Sequence, residues 1–201
     1  AGYTCLEMLV TFLEDYLNEF PQYANSEARR NNCSLFINSA RDFSLNVSVA
    51  VDVPLFTTMR NEISHVERES IEPILGDDLT ASLRDKMKSN KPLSKVETSL
   101  LKHIQSALGP LALAGMIPYG AITIGTESIC RSTDNLPSAD SRSQKWRMQE
   151  EMVYLNKRGE NRLEALRSFL NKNRASFPSY KGKESTGTIK INSTSSAVYL
   201  M

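Results

Sequence analysis

The feature that most constrains this chain is a single apolar stripe between Met148 and Leu170. Its members recur at steps of three and four residues: Met148, Met152, Leu155, Gly159, Leu163, Leu166 and Leu170. That spacing puts them on one face of an α-helix, so the sequence predicts a helix over about 141–173 with that face buried. Gly159 costs helix stability but permits close approach of a second helix. A helix this long needs other helices to cover its stripe, which indicates a mainly α fold.

Four further segments show helical spacing of apolar residues. The pair Thr4 and Glu7 has the pattern of a capping box before a helix predicted over 5–20, which Pro21 ends. Ser94 and Glu97 repeat that pattern before a helix predicted over 95–115. The other two helices follow Pro54 along the chain, and their apolar residues are Phe56, Met59, Ile63 and Val66, then Leu75, Leu79, Leu83 and Met87.

A minor β component is predicted beside these helices. Residues 45–53, "LNVSVAVDV", alternate between apolar and mostly polar side chains as a half-buried strand does. Residues 121–131 have the composition of a hairpin, and 186–201 contain two β-like pieces. The predicted fold class is therefore mainly α, a helical bundle with a minor β component. The predicted organisation is an N-terminal helical arm and polar linker over 1–34, a helical domain over 35–180 and a tail over 181–201.

The stretch "IEPILGDDL", residues 71–79, breaks the helical pattern with Pro73 and Gly76 and then places Asp77 and Asp78 side by side. Two acids at this position fit the cap and first turn of a new helix, where a carboxylate meets unpaired N–H groups. The alternative is a metal-binding or catalytic carboxylate pair. No His or Cys lies within ten residues of the pair to complete a metal set. We therefore interpret the stretch as a corner between two helices, with the first helix ending or kinking near Glu72.

Motifs that would indicate catalysis are absent from the sequence. There is no phosphate-binding loop, no dinucleotide fingerprint, no HExxH and no GxSxG, and the two histidines, His65 and His103, have no nearby cysteine or second histidine. We expect no enzyme activity, no catalytic residue, no cofactor and no bound metal.

The three cysteines include no CxxC pair, which is typical of a reducing compartment. With no signal peptide and no apolar run long enough to cross a bilayer, the chain is expected to be made in the cytoplasm and to have no membrane partner.

Charge is distributed unevenly along the chain. The chain carries +1 overall, yet residues 141–183 contain eleven Lys or Arg and four Glu, which gives +7 there and about −6 elsewhere. One interpretation is a solvated helix with flanking charges. The other is charge matching to an acidic neighbouring subunit or to nucleic acid.

The last helix carries a candidate interface away from its stripe. Trp146 and Val153 lie more than 90° from the centre of the stripe at about 100° per residue, so one core cannot easily bury both sets. An exposed apolar pair often marks a contact site, and Trp is a frequent anchor. The candidate subunit or partner interface is Trp146, Val153, Arg147, Arg158 and Arg162. The alternative is that the N-terminal arm or the 132–140 loop covers the apolar pair within one chain.

Four stretches, in this order, carry a resemblance: "IEPILGDDL", "LSKVETSLLKHIQSALGPLALAGMIP", "ITIGTESICR" and "WRMQEEMVYLNKRGENRLEALRSFLNKNRASFP". Over about residues 54–180 the chain resembles a family of small helical phage and prophage proteins that are similar in plan to head–tail connector (neck, head-completion) proteins. The first 50 residues add a helix and a linker to that plan.

The resemblance implies a virion subunit without catalytic residues or a small-molecule substrate. Such a subunit would form a ring with copies of itself and contact neighbouring virion proteins such as portal or tail components, and DNA is a candidate neighbour. An alternative function is a cytosolic DNA-binding or regulatory helical protein that uses its basic last helix, and a more distant one is an enzyme with a composite site.

Overall fold

The computed structural model describes residues 2–47, 51–89, 91–117, 122–124, 129–131 and 141–180. Over these residues the chain is mainly α, which confirms that part of the predicted class. The longer helices are α1 (Gly2–Asp15), α4 (Ala40–Val47), α5 (Val53–Val66), α7 (Asp77–Lys88), α8 (Lys95–Met116) and α9 (Ser141–Lys172). Shorter ones are α2 (Pro21–Ala24), α3 (Glu27–Asn32), a π-helical segment (Glu67–Ile71), α6 (Glu72–Leu75) and a 3₁₀ turn (Arg174–Ser176). None of the described helices is both long and apolar enough to cross a membrane.

Helix α8 lies at the centre of the core and contacts α9, α5 and α4. It begins with the predicted capping box, in which Ser94 accepts from the Glu97 N–H and Glu97 accepts from the Ser94 N–H. Its residues Leu100, Ile104 and Leu108 are completely buried. The helix runs on through Pro110 and ends at Met116.

The stripe of α9 packs on α8 as the spacing predicts. Its central and C-terminal members, Leu155, Gly159, Leu163, Leu166 and Leu170, are buried, and Met148 and Met152 are half-buried. Gly159 marks the closest approach of the two helices, because a Cβ at that position would lie 2.4 Å from Cγ of Leu111. The predicted reason for a glycine inside the stripe is confirmed.

The predicted corner has an unexpected construction. Helix α5 passes without a break into the π segment, and the Glu72 N–H donates to the Glu67 carbonyl five residues back. Pro73 then lies in the first turn of α6, where the proline ring is tolerated. Gly76 makes the turn itself with φ +81°, a conformation that favours glycine. The chain is therefore rerouted at the π segment and at Gly76.

The predicted strand over 45–53 is wrong. Residues 40–47 form α4, residues 51–52 lead into α5, and 48–50 lie outside the described residues. The helix forms because Ser39 accepts from the Asp42 N–H at 3.1 Å and because Phe43 and Val47, four residues apart, both enter the core. Leu45, which the alternating pattern placed with the valines, is 73% exposed.

The N-terminal region also differs from the prediction. Helix α1 begins at Gly2, so Thr4 lies inside it rather than at its cap, and it ends at Asp15. The expected loop or flexible linker contains α2 and α3. Buried Arg29 of α3 forms an ion pair with Glu14 of α1 at 3.2 Å, which ties these short helices to α1.

The structure contains a small antiparallel pair, β1 (Ile122–Ile124) and β2 (Ile129–Arg131), with Ile122 opposite Arg131. This pair lies inside the span 121–131. The predicted loop over 132–140 and the predicted tail over 181–201 lie outside the described residues.

Candidate assembly surfaces

The corner holds a carboxylate that is completely buried, Glu67 of the π segment. One oxygen accepts from the Phe36 N–H at 2.6 Å, and the other accepts from Arg84 of α7 at 2.7 Å. Arg84 also pairs with Glu72 at 2.8 Å, and its guanidinium lies 5.2 Å from the centre of the Phe36 ring. Gln105 of α8 donates to the Phe36 carbonyl at 2.9 Å. These contacts join the segment before α4 to the corner and to α8.

Opposing effects act on the pKa of the Glu67 carboxyl. Burial raises the pKa of the Glu67 carboxyl, and the Phe36 N–H and Arg84 act in the lowering direction. Arg84 remains a cation, because Glu67 and Glu72 raise its pKa against the effect of burial. A carboxylate that is enclosed on all sides cannot meet a substrate, so this cluster fixes the fold of the corner rather than offering a reactive group.

The sequence carried a signal for Glu67 that our reading missed. Glu67 lies four residues after Ile63, so it falls on the same helical face as the buried Met59 and Ile63. A charged residue at a core position needs a buried partner. The identity of that partner, Arg84, depends on the turn at Gly76 and was not accessible from spacing.

Asp77 and Asp78 lie in the first turn of α7, as predicted, and both are exposed. Neither provides the N-cap, because Gly76 occupies that position. The two acids help to line a shallow cleft with Arg68, Glu72, Pro73, Gly76 and Ser179. Within the described part of the chain, no group of three His, Cys, Asp or Glu side chains is placed to hold a metal ion.

The outward face of α9 consists of the apolar side chains Trp146, Val153 and Tyr154, with exposed fractions of 62%, 58% and 58%. Trp146 and Val153 lie two helical turns apart, as predicted. The structure adds Tyr154, which the sequence analysis did not include. Within the described residues, which include the N-terminal arm but not 132–140, these side chains stay exposed.

The cations of the predicted interface do not all lie on that face. Arg147 is exposed and lies beside Tyr154 on the helix, whereas Arg162 is about 160° around the helix from Trp146 and Arg158 about 120°. Lys157, which is exposed, is about 20° from Trp146 by the same measure. The outward face is therefore Trp146, Val153 and Tyr154, with exposed Glu150 between Trp146 and Tyr154 and with Arg147 and Lys157 beside it.

A second exposed apolar row lies on α1 and its continuation. Met8, Leu9, Phe12 and Tyr16 are 68%, 53%, 47% and 48% exposed, and the Phe12 and Tyr16 rings are 4.8 Å apart. Helical spacing predicted a helix over 5–20 but not which of its sides is exposed. The signal missed there is that Met8 and Phe12, four residues apart, give this helix apolar residues on a second side. We call Met8, Leu9, Phe12 and Tyr16 the α1 row.

A protein-family model described as a family of unknown function, DUF6712, matches residues 1–33 and 71–189 of the chain. The chain belongs to the DUF6712 family. No curated protein and no solved structure matches the chain. The matched DUF6712 segments include both the α1 row and the outward face of α9, and the unmatched stretch 34–70 contains α4 and α5.

Proposed function

We propose that this DUF6712 protein is a structural subunit of a phage virion neck or head–tail connector, acting by oligomerisation and protein–protein contacts. The observation that carries the proposal is the outward face of α9, where Trp146 is 62% exposed on a helix whose opposite face is the core. Large apolar side chains clustered on a protein surface mark contact sites, and Trp is enriched among the residues that dominate binding energy. The order of sequence stretches that resembles connector proteins supports the same function.

The setting of this face favours assembly over chemistry. A face built on a 32-residue helix that packs along α8 is presented with little conformational freedom, which lowers the entropic cost of binding. The proposal takes the fold as a helical bundle with a minor β component and an N-terminal arm. Its partners are copies of the chain in a ring, together with neighbouring virion proteins such as portal or tail components, and its location is the virion.

Mass measurement by light scattering tests this proposal, first on the purified chain and then on mixtures with the structural proteins encoded beside it. The wild-type chain should form a closed oligomer or join a complex with a neighbouring virion protein. Trp146→Ala should weaken that association, because it removes the largest exposed apolar side chain of the face. Leu45→Ala is the matched control, since Leu45 is 73% exposed on α4 and its loss should leave association unchanged.

A chain that stays monomeric alone and in every such mixture would overturn the structural function. Association that Trp146→Ala leaves untouched would move the interface away from α9.

The second candidate function is DNA binding through α9, which the net charge of +7 over 141–183 favours. Exposed Arg147, Lys157 and Arg167 lie along this helix. A DNA-binding protein would lose affinity steeply with added salt, because each neutralised phosphate releases counterions. Retention of duplex DNA at moderate salt by a monomeric chain, with loss on Arg147→Gln plus Lys157→Gln, would favour this function over the connector.

A further inference from the structure

We infer that one end of the helical bundle binds the phosphate backbone of a nucleic acid duplex. Three helix ends meet there: the C-terminus of α7, the N-terminus of α8 and the C-terminus of α9. The inference goes beyond the connector function and does not depend on self-association. We call the partly or fully exposed cations at this place the basic end, and they are Lys86, Lys88, Lys91, Lys95, Lys102, Arg167, Lys172 and Arg174.

Two contacts join the end of α7 to the start of α8. Nζ of Lys86 lies 2.6 Å from Oε1 of Glu97, so the last turn of α7 adjoins the first turn of α8. The Lys91 N–H donates to the Lys86 carbonyl at 3.0 Å, which turns the chain back after α7. Lys88, Lys91 and Lys95 are therefore held close to one another.

Helix α9 brings its C-terminus to the same place, because it runs antiparallel to α8. Gly159 approaches Leu111 near the C-terminal end of α8, whereas the Phe169 ring lies 4.7 Å from the His103 ring, nearer its N-terminal end. Lys172 follows Phe169 by one turn of α9. It therefore lies level with the N-terminal part of α8.

The basic end carries a large excess of positive charge. Residues 85–102 contain five lysines against Asp85 and Glu97, and 167–176 contain three cations and no acid, so eight minus two gives +6. Residues 146–166, which include the outward face of α9, contain four cations and four acids, which cancel. The positive charge of the described part of α9 is thus concentrated near its C-terminus.

Ion pairs inside the chain compensate only a part of this charge. Lys86 pairs with Glu97, and Arg167 pairs with Glu164. In the part of the chain that the structure describes, no ion pair involves the remaining lysines of the basic end, Lys88, Lys91, Lys95, Lys102 and Lys172. Several uncompensated cations on one surface attract a polyanion.

Helix dipoles explain some of these cations but not all of them. Lys88 and Lys172 lie in the last turns of α7 and α9, where a cation is ordinarily favourable. Lys95 is the first residue of α8, beside the positive end of the helix dipole, where a cation is unfavourable. Lys102 lies two turns further along α8 on the same face as Lys95. A negatively charged partner gives a reason for Lys95 and Lys102 that the fold does not.

The basic end suits a phosphate backbone better than an acidic protein. Among the described residues, the exposed large apolar side chains lie in the N-terminal region, on α4 and on the outward face of α9, and none lies at the basic end. Protein interfaces are centred on buried apolar anchors, whereas phosphate contacts need only cations and polar donors. The same absence leaves no aromatic platform for unpaired bases, which favours a duplex.

Fluorescence anisotropy of a short duplex DNA with the full-length chain, over a range of salt concentrations, tests the inference. The wild type should bind, with an affinity that falls steeply as salt is added. Lys95→Gln with Lys102→Gln should lower the affinity on the order of tenfold at low salt and reduce the logarithmic salt slope by about two, roughly one for each lost contact. Lys95→Arg with Lys102→Arg keeps both charges and should bind as the wild type does.

Arg147→Gln with Lys157→Gln is the matched control. It removes the same charge from exposed positions on α9 at a distance from the basic end, and it should leave the affinity nearly unchanged. Melting curves check that all the variants are folded. Equal losses in the two glutamine variants, or a loss in the control alone, would overturn the assignment to the basic end.

Two further probes identify the partner. A duplex RNA of matching sequence distinguishes the two sources of a phosphate backbone: the duplex bound more tightly at one salt concentration is the source, and either result supports the inference. Polyglutamate bound as tightly as the duplexes would overturn it and indicate an acidic protein partner. A wild-type chain that binds neither duplex at low salt would also overturn it, while the connector function, which light scattering measures, would be unaffected.

Discussion

The corner around Glu67 and the outward face of α9 reverse the ordinary distribution of polarity in opposite ways. Glu67 is a charged side chain with no exposed surface, and Trp146 is a large apolar side chain with 62% of its surface exposed. Charges are rarely buried unless they are paired, and large apolar clusters are rarely left in solvent. At the corner, the buried carboxylate of Glu67 is paired within the chain, because it accepts hydrogen bonds from the Phe36 N–H and from Arg84. The apolar side chains on the outward face of α9 stay exposed within the described part of the chain.

This difference separates stability from function. A feature that is costly alone but paired inside the molecule contributes to holding one fold. Under the proposed function, the apolar side chains left exposed on α9 are covered by another molecule. Substitutions in the two regions should therefore affect different measurements: subunit stability for the corner and association for the outward face of α9.

Glu67→Ala should have the largest effect on folding. The substitution leaves the Phe36 N–H and part of the Arg84 guanidinium without an acceptor in a buried place, and breaking such a pair costs about 3–5 kcal/mol. Chemical denaturation of the isolated subunit measures the loss. Glu69→Ala is the matched control on the same π segment, because Glu69 is exposed and its contact with His65 lies at the surface. A small effect of Glu67→Ala would show that the corner is not what holds these segments together.

Leu163→Ala and Trp146→Ala compare the two sides of α9 directly. Leu163 is buried against α8, so its truncation should cost about 2–5 kcal/mol of subunit stability. Trp146→Ala should leave the unfolding transition of the dilute subunit nearly unchanged and weaken association. Equal destabilisation by the two variants would place Trp146 in the core and remove the distinction between the faces.

Gly159→Ala should destabilise the packing of α9 on α8 by about 1–3 kcal/mol, as overpacking does, offset by up to about 1 kcal/mol of gained helix propensity. The added methyl would meet the side chain of Leu111 at 2.4 Å. Thermal unfolding measures the net change. Leu111→Ala in the same chain should recover part of the loss, and a loss that stays the same would mean that the two residues are not coupled.

Glu97→Gln should cost about 1 kcal/mol near neutral pH. Burial acts to raise the pKa of Glu97, but hydrogen bonds from Lys86 and Ser94 outweigh it, and the pKa lies below its ordinary value. The stabilisation is present above the pKa of the unfolded chain and is lost as pH falls through the folded pKa. Unfolding curves of the wild type and the variant should converge in acid. A difference that stays constant with pH would assign the effect to capping geometry rather than to charge.

Asp77→Asn with Asp78→Asn should give the smallest change, about 0.5–1 kcal/mol, because these exposed acids interact with the N-terminus of α7 mainly through its dipole. Association should be unaffected. If the double variant abolished a measurable activity or metal binding, the corner would have a chemical function that its geometry does not indicate.

The sequence predicted the secondary structure correctly where apolar residues kept one helical spacing over a long stretch. The steps from Met148 to Leu170 fit only a helix, and the bounds of α9 agree with the predicted span within a few residues. The span 45–53 is short, and Val47 satisfies both an alternating and a helical pattern there. The helix forms because Ser39 caps it and the core accepts Phe43, facts that depend on distant packing.

The candidate surface was predictable in part for a similar reason. Helical angle alone separates Trp146 and Val153 from the stripe, so their exposure followed from spacing. The α1 row did not follow, because an apolar helix with two apolar sides does not show which side the rest of the molecule covers. The side that contains buried Leu17 faces the fold, and only the packing of the short helices determines this.

The π segment has a consequence for how this chain tolerates changes in length. A π turn accommodates one more residue than an α turn, and one residue rotates a helix by about 100°. Deleting one residue between Glu67 and Ile71 would leave an ordinary α turn with the flanking faces in register, whereas adding one more would turn Met59 and Ile63 away from the core, or turn Leu75 outward. The family match resumes at residue 71, the last residue of this segment. The joint between the matched and unmatched parts of the chain is thus a place where the helix already accommodates one residue more than an α turn needs.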